Sequence, residues 1–531
     1  MQWVETDKNE HLRRKNGPYV EENLKSRLVN CGNYEDATGI RTDSPTCDVE
    51  GQRILMSWAA SNQLPLRCAD ITNAYFQGHQ LDRLILMRPP SGMPPGSVPE
   101  GGGLIARVPI YGTCDAGRGL WLRLREDLVK SGWTPSGVMQ GLFYLRVDGR
   151  VVGMLCTHVD DLLWACMPEG ESYAQRVLDS FDMGKIEKAP FRYCGKEVEQ
   201  DSDGTIRVTC RNNTEKVEPI RIAAGRKPGD ACTEGEISQL RSVVGSLAWI
   251  ARECRPDIAY RTSRLQSRCA KAMIHDLREC NRVVDYLLET SGQGLTFTPN
   301  CINWAEPISV ITITDASFAN EEDIVEGRLA PHRSQRGRLH YISNRQLVDG
   351  GMEAPAHLIG FGSTLIKRVC RATLQAETYA LQHGVEEGYR LRAILAEMHG
   401  NADHESFCAH LWLSDCQSLV QHLTSHIGTK VQDKRLSIEM EALRQSLESP
   451  HEILRWIDTS AMLADALTKA MKPDLLLGCL ACCRINLTPA EWSVADKQKK
   501  QEQRRRTSDN PDNQERIHRP PPTPTQPGTK S

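Results

Sequence analysis

The sequence predicts a multidomain protein of α+β and α/β class, and three observations predict it. A chain of 531 residues exceeds the usual domain of about 100 to 200 residues. Its first half sets apolar, strand-like runs (GLFYLRV, VVGMLCTHV) beside helical ones. Its second half reads strand, strand, strand, helix, strand, helix, strand, helix, the order of a compact unit with a mixed sheet.

From the N-terminus, residues 1–24 are polar and charged and read as the remnant of something longer. Residues 25–200 are mixed in texture: QRILMSWAASN is helix-like, LPLRCADI strand-like, and Pro89 to Gly103 a turn-rich loop. RGLWLRLREDLVKSGW then carries leucines at helical spacing, ahead of the two strand candidates. Residues 201–304 open polar and become mostly helical from about Glu234 to Ser291. In residues 305–485, EPISVITITDASF, LHYISN and HLIGFGSTLIKRVC are strand candidates, TLQAETYALQHGVEEGYRLRAILAEM is an amphipathic helix, and HLWLSD and HEILRWIDT are further strands. Residues 486–531 read as a disordered, basic, Pro-rich tail. Its cluster Lys497 to Arg506 suits a solvated tail, a nucleic-acid contact or an import signal.

Composition narrows the class without naming a partner. Hydrophobic residues make up 40%, charged residues 25%, and the net charge is −3, an ordinary globular profile. A local basic groove can still exist on a neutral whole. No apolar stretch reaches the roughly 18 residues of a membrane helix, and the opening MQWVETDKNEHLRRKNG is unlike a signal or transit peptide. The 19 cysteines are scattered, which reads as free thiols in a reducing compartment. Cys479, Cys482 and Cys483 in CLACC form the densest cluster, with buried thiols favoured over a zinc site.

Acids at strand ends carry the chemistry. Asp315 ends an alternating strand (VITITDAS), Glu377 lies in a helix, Asp415 ends another strand (LWLSDCQS) and Asp465 opens a helical segment (LADALTKA). In a mixed sheet these can converge, and converging carboxylates repel unless cations compensate them. Mg²⁺ suits oxygen ligands, and two such ions support phosphodiester hydrolysis. Singly, each acid is as well explained as a cap, a turn residue or a solvated face. In the first half, Asp160 and Asp161 in THVDDLLWAC fall between two apolar strands, in the turn of a hairpin, and Asp70 follows the short strand in CADITNAYFQG. Three such carboxylates can bind two Mg²⁺ ions and a nucleoside triphosphate; a polar turn is the plain alternative.

The motifs DITNAYFQG, IYGTCDAGRGLW, THVDDLL, YCGKEV, LRSVVGSLAWIARECRPDIAY and RVVDYLLETSGQGL, followed by TDAS, AETYAL, SDCQS and LRWIDTSAMLADALTK, resemble in content and order the reverse transcriptase and ribonuclease H region of Copia-type long-terminal-repeat retrotransposon Pol polyproteins. LKSRLVNCGNYEDATGIRTDSPT resembles the fingers of the same family, so the likeness runs over about residues 25 to 475. It implies a right-hand polymerase, with fingers and palm in 25–200 and thumb and connection in 201–304, followed by a ribonuclease H-like domain in 305–485. It further implies metal ligation by Asp70, Asp160 and Asp161 for polymerisation and by Asp315, Glu377, Asp415 and Asp465 for cutting the RNA of an RNA–DNA hybrid. Two Mg²⁺ ions per site, with Mn²⁺ as a substitute, are implied, as are an RNA template, a DNA primer and deoxynucleoside triphosphates, in a cytoplasmic virus-like particle with entry to the nucleus. Tyr75 falls under the incoming sugar as a check on the 2′-hydroxyl, Arg27 reaches the triphosphate, Arg118 lies near the nascent base pair and Gly195 is in the turn that grips the primer.

Departures set the competing expectations. His158 stands where the family carries an aromatic residue before VDD. Asp115 and Gly117 replace an expected Gln and Pro, and an extra residue separates Arg118 from Trp121. A bifunctional enzyme is the first expectation; a catalytically impaired, nucleic-acid-binding remnant and a chain with only the ribonuclease H active are the alternatives.

Overall fold

The computed structural model describes residues 1–495 apart from 11–12, 14–18, 326–327 and 426–430. An N-terminal hairpin pairs β1 (Gln2–Asp7) with β2 (Leu24–Val29). The expected boundary at residue 24 therefore falls inside a hairpin, and the N-terminal stretch is built into the first unit.

A buried helix, α1 (Val49–Ser61), organises the first half. Asp48 caps it, accepting from the Glu50 N–H at 2.8 Å, and every residue from Glu50 to Ser61 is buried. Beyond it come β3 (Arg67–Asp70), the short pair β4 (Ile85–Met87) and β5 (Leu104–Ala106), helix α2 (Ala116–Lys130), then β6 (Thr134–Pro135), β7 (Leu142–Val147), β8 (Arg150–His158), β9 (Asp161–Cys166), α3 (Glu171–Leu178) and β10 (Glu187–Lys188). The main sheet has order β10-β3-β9-β8-β7-β6, antiparallel throughout. Strands β7, β8 and β9 are nearly continuously buried, as expected for a sheet covered on both faces.

A second sheet was hidden in the sequence. Strands β11 (Phe191–Tyr193), β12 (Lys196–Gln200) and β13 (Ile206–Thr209) precede the helices α4 (Glu234–Cys254), α5 (Ala259–Arg268) and α6 (Ile274–Glu289), and β14 (Leu295–Phe297) returns to complete the order β11-β12-β13-β14. The expected boundary at 200/201 thus cuts the β12–β13 hairpin. The stretch after it is a sheet enclosing a helical insertion, not helices alone.

The second half matches the expected order. Strands β15 (Ile308–Val325), β16 (Arg328–Asn344) and β17 (Glu353–Ile366) form an antiparallel meander, helix α7 (Thr373–Met398) crosses it, and β18 (Ala409–Ser414) adds parallel to β15. Two helices, α8 (Gln417–Thr424) and α9 (Lys434–Ser446), lead to β19 (Glu452–Trp456), and α10 (Asp474–Cys482) to an unforeseen edge strand, β20 (Arg484–Asn486). The sheet order is β19-β18-β15-β16-β17-β20. Leu487 is buried, and Ser493 donates to Asp458 at 2.9 Å, so the ordered chain continues past the expected tail start at 486. The basic cluster from Lys497 lies outside the described residues.

The halves share one core. Ile54 and Trp58 of α1 belong to the same buried cluster as Met154, Leu163, Ile311 and Ile359. Arg53 donates to the Ile359 carbonyl at 2.8 Å, Ser57 lies 2.8 Å from His357 Nδ1, and Ser136 donates to Glu397 at 2.5 Å. Cys479 and Cys483 of CLACC are buried thiols donating to Tyr341 and to the Thr296 carbonyl, with Cys482 exposed. Among the described residues no helix is long and apolar enough to cross a membrane.

Candidate active sites

The second-half acids come together through strand register. Ile313 of β15 lies opposite Leu413 of β18 in a parallel pair. Two residues further on, each strand presents an acid at the same sheet edge, Asp315 and Asp415. Glu377 on the crossing helix α7 completes the group, and one ligand atom from each of the three lies within 4.8 Å of the others. Gly337, opposite Asp315, leaves room for the turn Leu463–Leu467 beside this group: a Cβ there would meet Leu467 Cβ at 2.7 Å and the Ala464 carbonyl at 3.1 Å.

Asp465 flanks the three. It sits in a 3-10 turn, Leu463–Leu467, where a longer helix was expected, and pairs with Lys469. The Lys469 ammonium also lies 3.4 Å from Asp315, whose carboxylate accepts from Thr468. Sequence reasoning missed Lys469 and Thr468, although the i, i+4 spacing from Asp465 to Lys469 is a pairing signal.

Repulsion is only partly compensated. Burial, then Asp315, then Asp415 push the Glu377 carboxyl well above its ordinary range, and its Oε2 is buried without a hydrogen-bond partner. Burial and Asp315 likewise raise Asp415, and they push Asp465 up to about 6. Three close carboxylates and a buried, partnerless oxygen fit a hard divalent cation. Asp465→Asn is therefore expected to stabilise the metal-free protein above pH 6. A group raised in the folded state binds its proton more readily there than unfolded, so its ionised form costs stability that is restored as pH falls from about 6 toward its ordinary value of 3.8. The variant's advantage should close by about pH 4. It is measured as the difference between variant and wild-type urea melts in EDTA, because buried His340 and His357, held near 3 by desolvation, make absolute stability fall with acid.

The first-half acids sit on paired strands. His158 pairs with Asp161 as the last rung of the β8–β9 hairpin, and Asp70 of β3 lies opposite Asp161. Val159 and Asp160 form the turn, with Val159 at φ +59, a position where a β-branched residue is strained and Gly is usual. Strain of this kind gathers at functional sites. Burial, then Asp160, then Asp70 push Asp161 up to about 6. Among the described residues only Asp315, Glu377 and Asp415 bring three ligand atoms within 4.8 Å; Asp70, Asp160 and Asp161 are more open.

Aromatic and basic groups face this edge. Tyr75 meets Tyr111 edge-on at 4.9 Å, and the Arg27 guanidinium lies 5.4 Å from the Tyr111 ring. Burial followed by Asp160 raises the pKa of both tyrosines, which sets the ring pair beside the acids. Tyr111 was missed as a site residue, though it opens the motif YGTCDAG.

The other sequence-predicted positions are placed as follows. Arg118 is engaged, donating to Asp43 at 2.9 Å with its guanidinium 4.9 Å from the Trp121 ring. Asp115 is not an uncompensated acid: Arg83 pairs with it at 3.0 Å and with Glu35. Gly195 behaves as its turn demands. It and Cys194 both have positive φ (+81 and +47), its carbonyl accepts from Asn213 at 2.9 Å, and a Cβ on it would meet Trp249 of α4 at 3.1 Å. His158 is half-buried, its Nδ1 lacks a partner, and burial followed by Lys196 lowers its pKa. That lysine is buried and paired with Glu253 at 2.5 Å.

Residues 1–219 match the family model described as reverse transcriptase (RNA-dependent DNA polymerase), a span that takes in the N-terminal hairpin. The retrovirus-related Pol polyprotein from transposon RE2 of Arabidopsis thaliana is 24% identical over 471 residues, covering 84% of this chain and 30% of the relative. The transposon Ty1-BL Gag-Pol polyprotein of Saccharomyces cerevisiae is 19% identical over 452 residues, covering 78% of this chain and 23% of its own. The matched region is thus less than a third of these curated relatives. Among solved structures, ribonuclease H1 from the halophilic archaeon Halobacterium salinarum aligns with 32% of this chain and 97% of its own, at 18% identity and TM-score 0.20.

Proposed function

We propose that this chain, which is similar to Copia-type retrotransposon Pol polyproteins in both halves and carries a reverse transcriptase domain in its first, is an RNA-directed DNA polymerase with a ribonuclease H acting on RNA–DNA hybrids. The observation that carries the reading is that two acid sites stand at strand ends of two separate sheets in one molecule. In a right-hand arrangement, β7, β8, β9 and α1 serve as the palm, and α4 to α6 as thumb and connection. Asp70, Asp160 and Asp161 would hold one pair of Mg²⁺ ions, and Asp315, Glu377, Asp415 and Asp465 the other. When bound, such ions supply Lewis-acid stabilisation of an in-line displacement at phosphorus.

The chain's own residues do the rest. Tyr75, braced by Tyr111, limits the space at the sugar and so disfavours a 2′-hydroxyl. Arg27 brings charge-assisted hydrogen bonds to the triphosphate. The Cys194–Gly195 turn, held by Asn213 and Trp249, steadies the primer against α4. Lys469 neutralises part of the acid cluster at the nuclease edge. RNA template, DNA primer and deoxynucleoside triphosphates are the implied partners, with cytoplasmic particles and entry to the nucleus as the setting.

The test supplies purified protein with poly(rA) and a DNA primer, and separately with a labelled hybrid, each with Mg²⁺ or Mn²⁺. Extension together with cleavage is the expected result. Cleavage alone would support a second reading, a chain active only as a nuclease, which the openness of the first-half acids favours. Binding with neither activity would overturn both.

A further inference from the structure

A groove of about 320 Å³ lies on the nuclease half away from the acid cluster, lined by Arg336, Lys367, Arg368, Tyr379, His383 and Glu386. Tyr379, His383 and Glu386 fall on one stripe of α7. Glu377 lies two residues before Tyr379, roughly 200° round the helix, so the groove and the acids occupy opposite flanks of the same turn. The separation is on the order of one helix diameter, about 10 Å.

Glu386 is the acid in the groove's lining, against Arg336, Lys367 and Arg368. Arg336 and Arg338 stand two apart on β16 and face α7. Arg336 is fixed by donating from Nε to Thr364 at 3.0 Å, while Arg338 Nε is buried with no hydrogen-bond partner. Among the described residues Arg368 has an ion pair, with Glu439 at 2.7 Å, and its guanidinium lies 5.3 Å from the Tyr379 ring. No carboxylate of the described residues comes within ion-pair distance of Arg336, Arg338 or Lys367; Glu386 and Glu387 reach Arg336 only through space. Desolvation and then Arg338 lower the Arg336 pKa, and His383, held near 4 by burial and both arginines, adds a neutral ring with hydrogen-bonding capacity. Arg336 and Arg338, half-buried and without an ion-paired carboxylate among the described residues, are stabilised by an anion from outside the chain.

We propose that this groove is a phosphodiester-binding site, in which Arg336 and Lys367 hold a backbone phosphate of the nucleic acid whose scissile phosphate lies at Asp315, Glu377 and Asp415. The inference rests on the nuclease reading above. Phosphates recur along a duplex strand about every 3.4 Å of rise, so a span of one helix diameter is bridged by a few nucleotides. The contact is to backbone and carries no sequence preference. It sets how the hybrid lies across α7, and so the angle at which the scissile strand meets the acids.

The test measures binding of a fluorescent hybrid to the full chain in Ca²⁺, as a function of salt, with integrity of the hybrid checked on a gel. Lys367→Ala is expected to lower the slope of log affinity against log salt by about 1, and Arg336→Ala with Lys367→Ala by about 2. Glu386→Gln is expected to tighten binding. Arg345→Ala, at the far end of β16 and paired with Asp349, should leave the slope unchanged. Lys367 is exposed, so its variant reports even where the double variant folds poorly. If the wild type binds and cuts while both groove variants keep its slope, this inference fails alone. If the wild type does not bind the hybrid, the nuclease reading fails with it. If inorganic phosphate binds the wild type but not the double variant while the hybrid slope holds, the groove takes free phosphate and the backbone assignment is overturned.

Discussion

Glu377→Gln is expected to abolish hybrid cleavage while raising the melting temperature of the metal-free protein. The amide keeps the shape of the side chain and its place on α7, but removes the charge that the site exists to present. Loss of one charged ligand from a three-carboxylate group removes several kcal/mol of cation binding and charge stabilisation, and each 1.36 kcal/mol is tenfold in rate, so a loss of at least about 10²- to 10³-fold follows. Stability moves the other way, because burial, Asp315 and Asp415 all disfavour the ionised Glu377 and the fold no longer carries that penalty. A residue with a merely structural role would lose both properties together. The variant is compared with wild type in a labelled-hybrid assay and in thermal melts with EDTA. Retained cleavage, or a lower metal-free melting temperature, would place the nuclease site elsewhere. Primer extension should be unaffected, since the groups acting on Glu377 are Asp315, Asp415, Lys469 and Ala316 and none of the first-half acids.

What the sequence made legible followed from how local each signal was. The alternation in VITITDAS and LWLSDCQS marks strands by itself, and acids at their ends can be read before any pairing is known. That β15 and β18 are adjacent and parallel, so that Asp315 and Asp415 share an edge, is a long-range fact with no local trace; there the family resemblance supplied what periodicity could not. The β11–β14 sheet was missed because its strands are three to five residues long and partly polar (KEVEQ, IRVT), too short for a period to declare itself. Asp115 looked like a defect because its partner, Arg83, is 32 residues away. Lys469 was overlooked for the opposite reason: it is so close to Asp465 that it read as part of a helix face. The shared core around α1 was also invisible, since a helix buried all round looks like any other apolar helix until the second sheet is in place.

Asp160→Asn is expected to produce the mirror image, loss of primer extension by a comparable factor with cleavage intact. Asp160 occupies the turn beside a strained Val159, and its charge is the second cause, after burial, of the raised Asp161. Removing it therefore withdraws one ligand and relaxes the neighbour toward ordinary acidity. Extension left unchanged by this variant would sink the proposed polymerase site. His158 is then expected to set how well the proposed site works. Burial and Lys196 disfavour charge on its ring, which is half-buried and carries a nitrogen without a partner, so its useful property here is planarity. His158→Phe keeps the plane and deletes the partnerless atom, whose burial costs about 1–3 kcal/mol; extension should be retained and stability should rise. His158→Ala removes the ring from the rung beside Asp161 and should lower extension. If Phe fails where His works, hydrogen bonding rather than packing is what this position supplies, and the departure from the family's aromatic residue is a change of function at the base of the VDD turn.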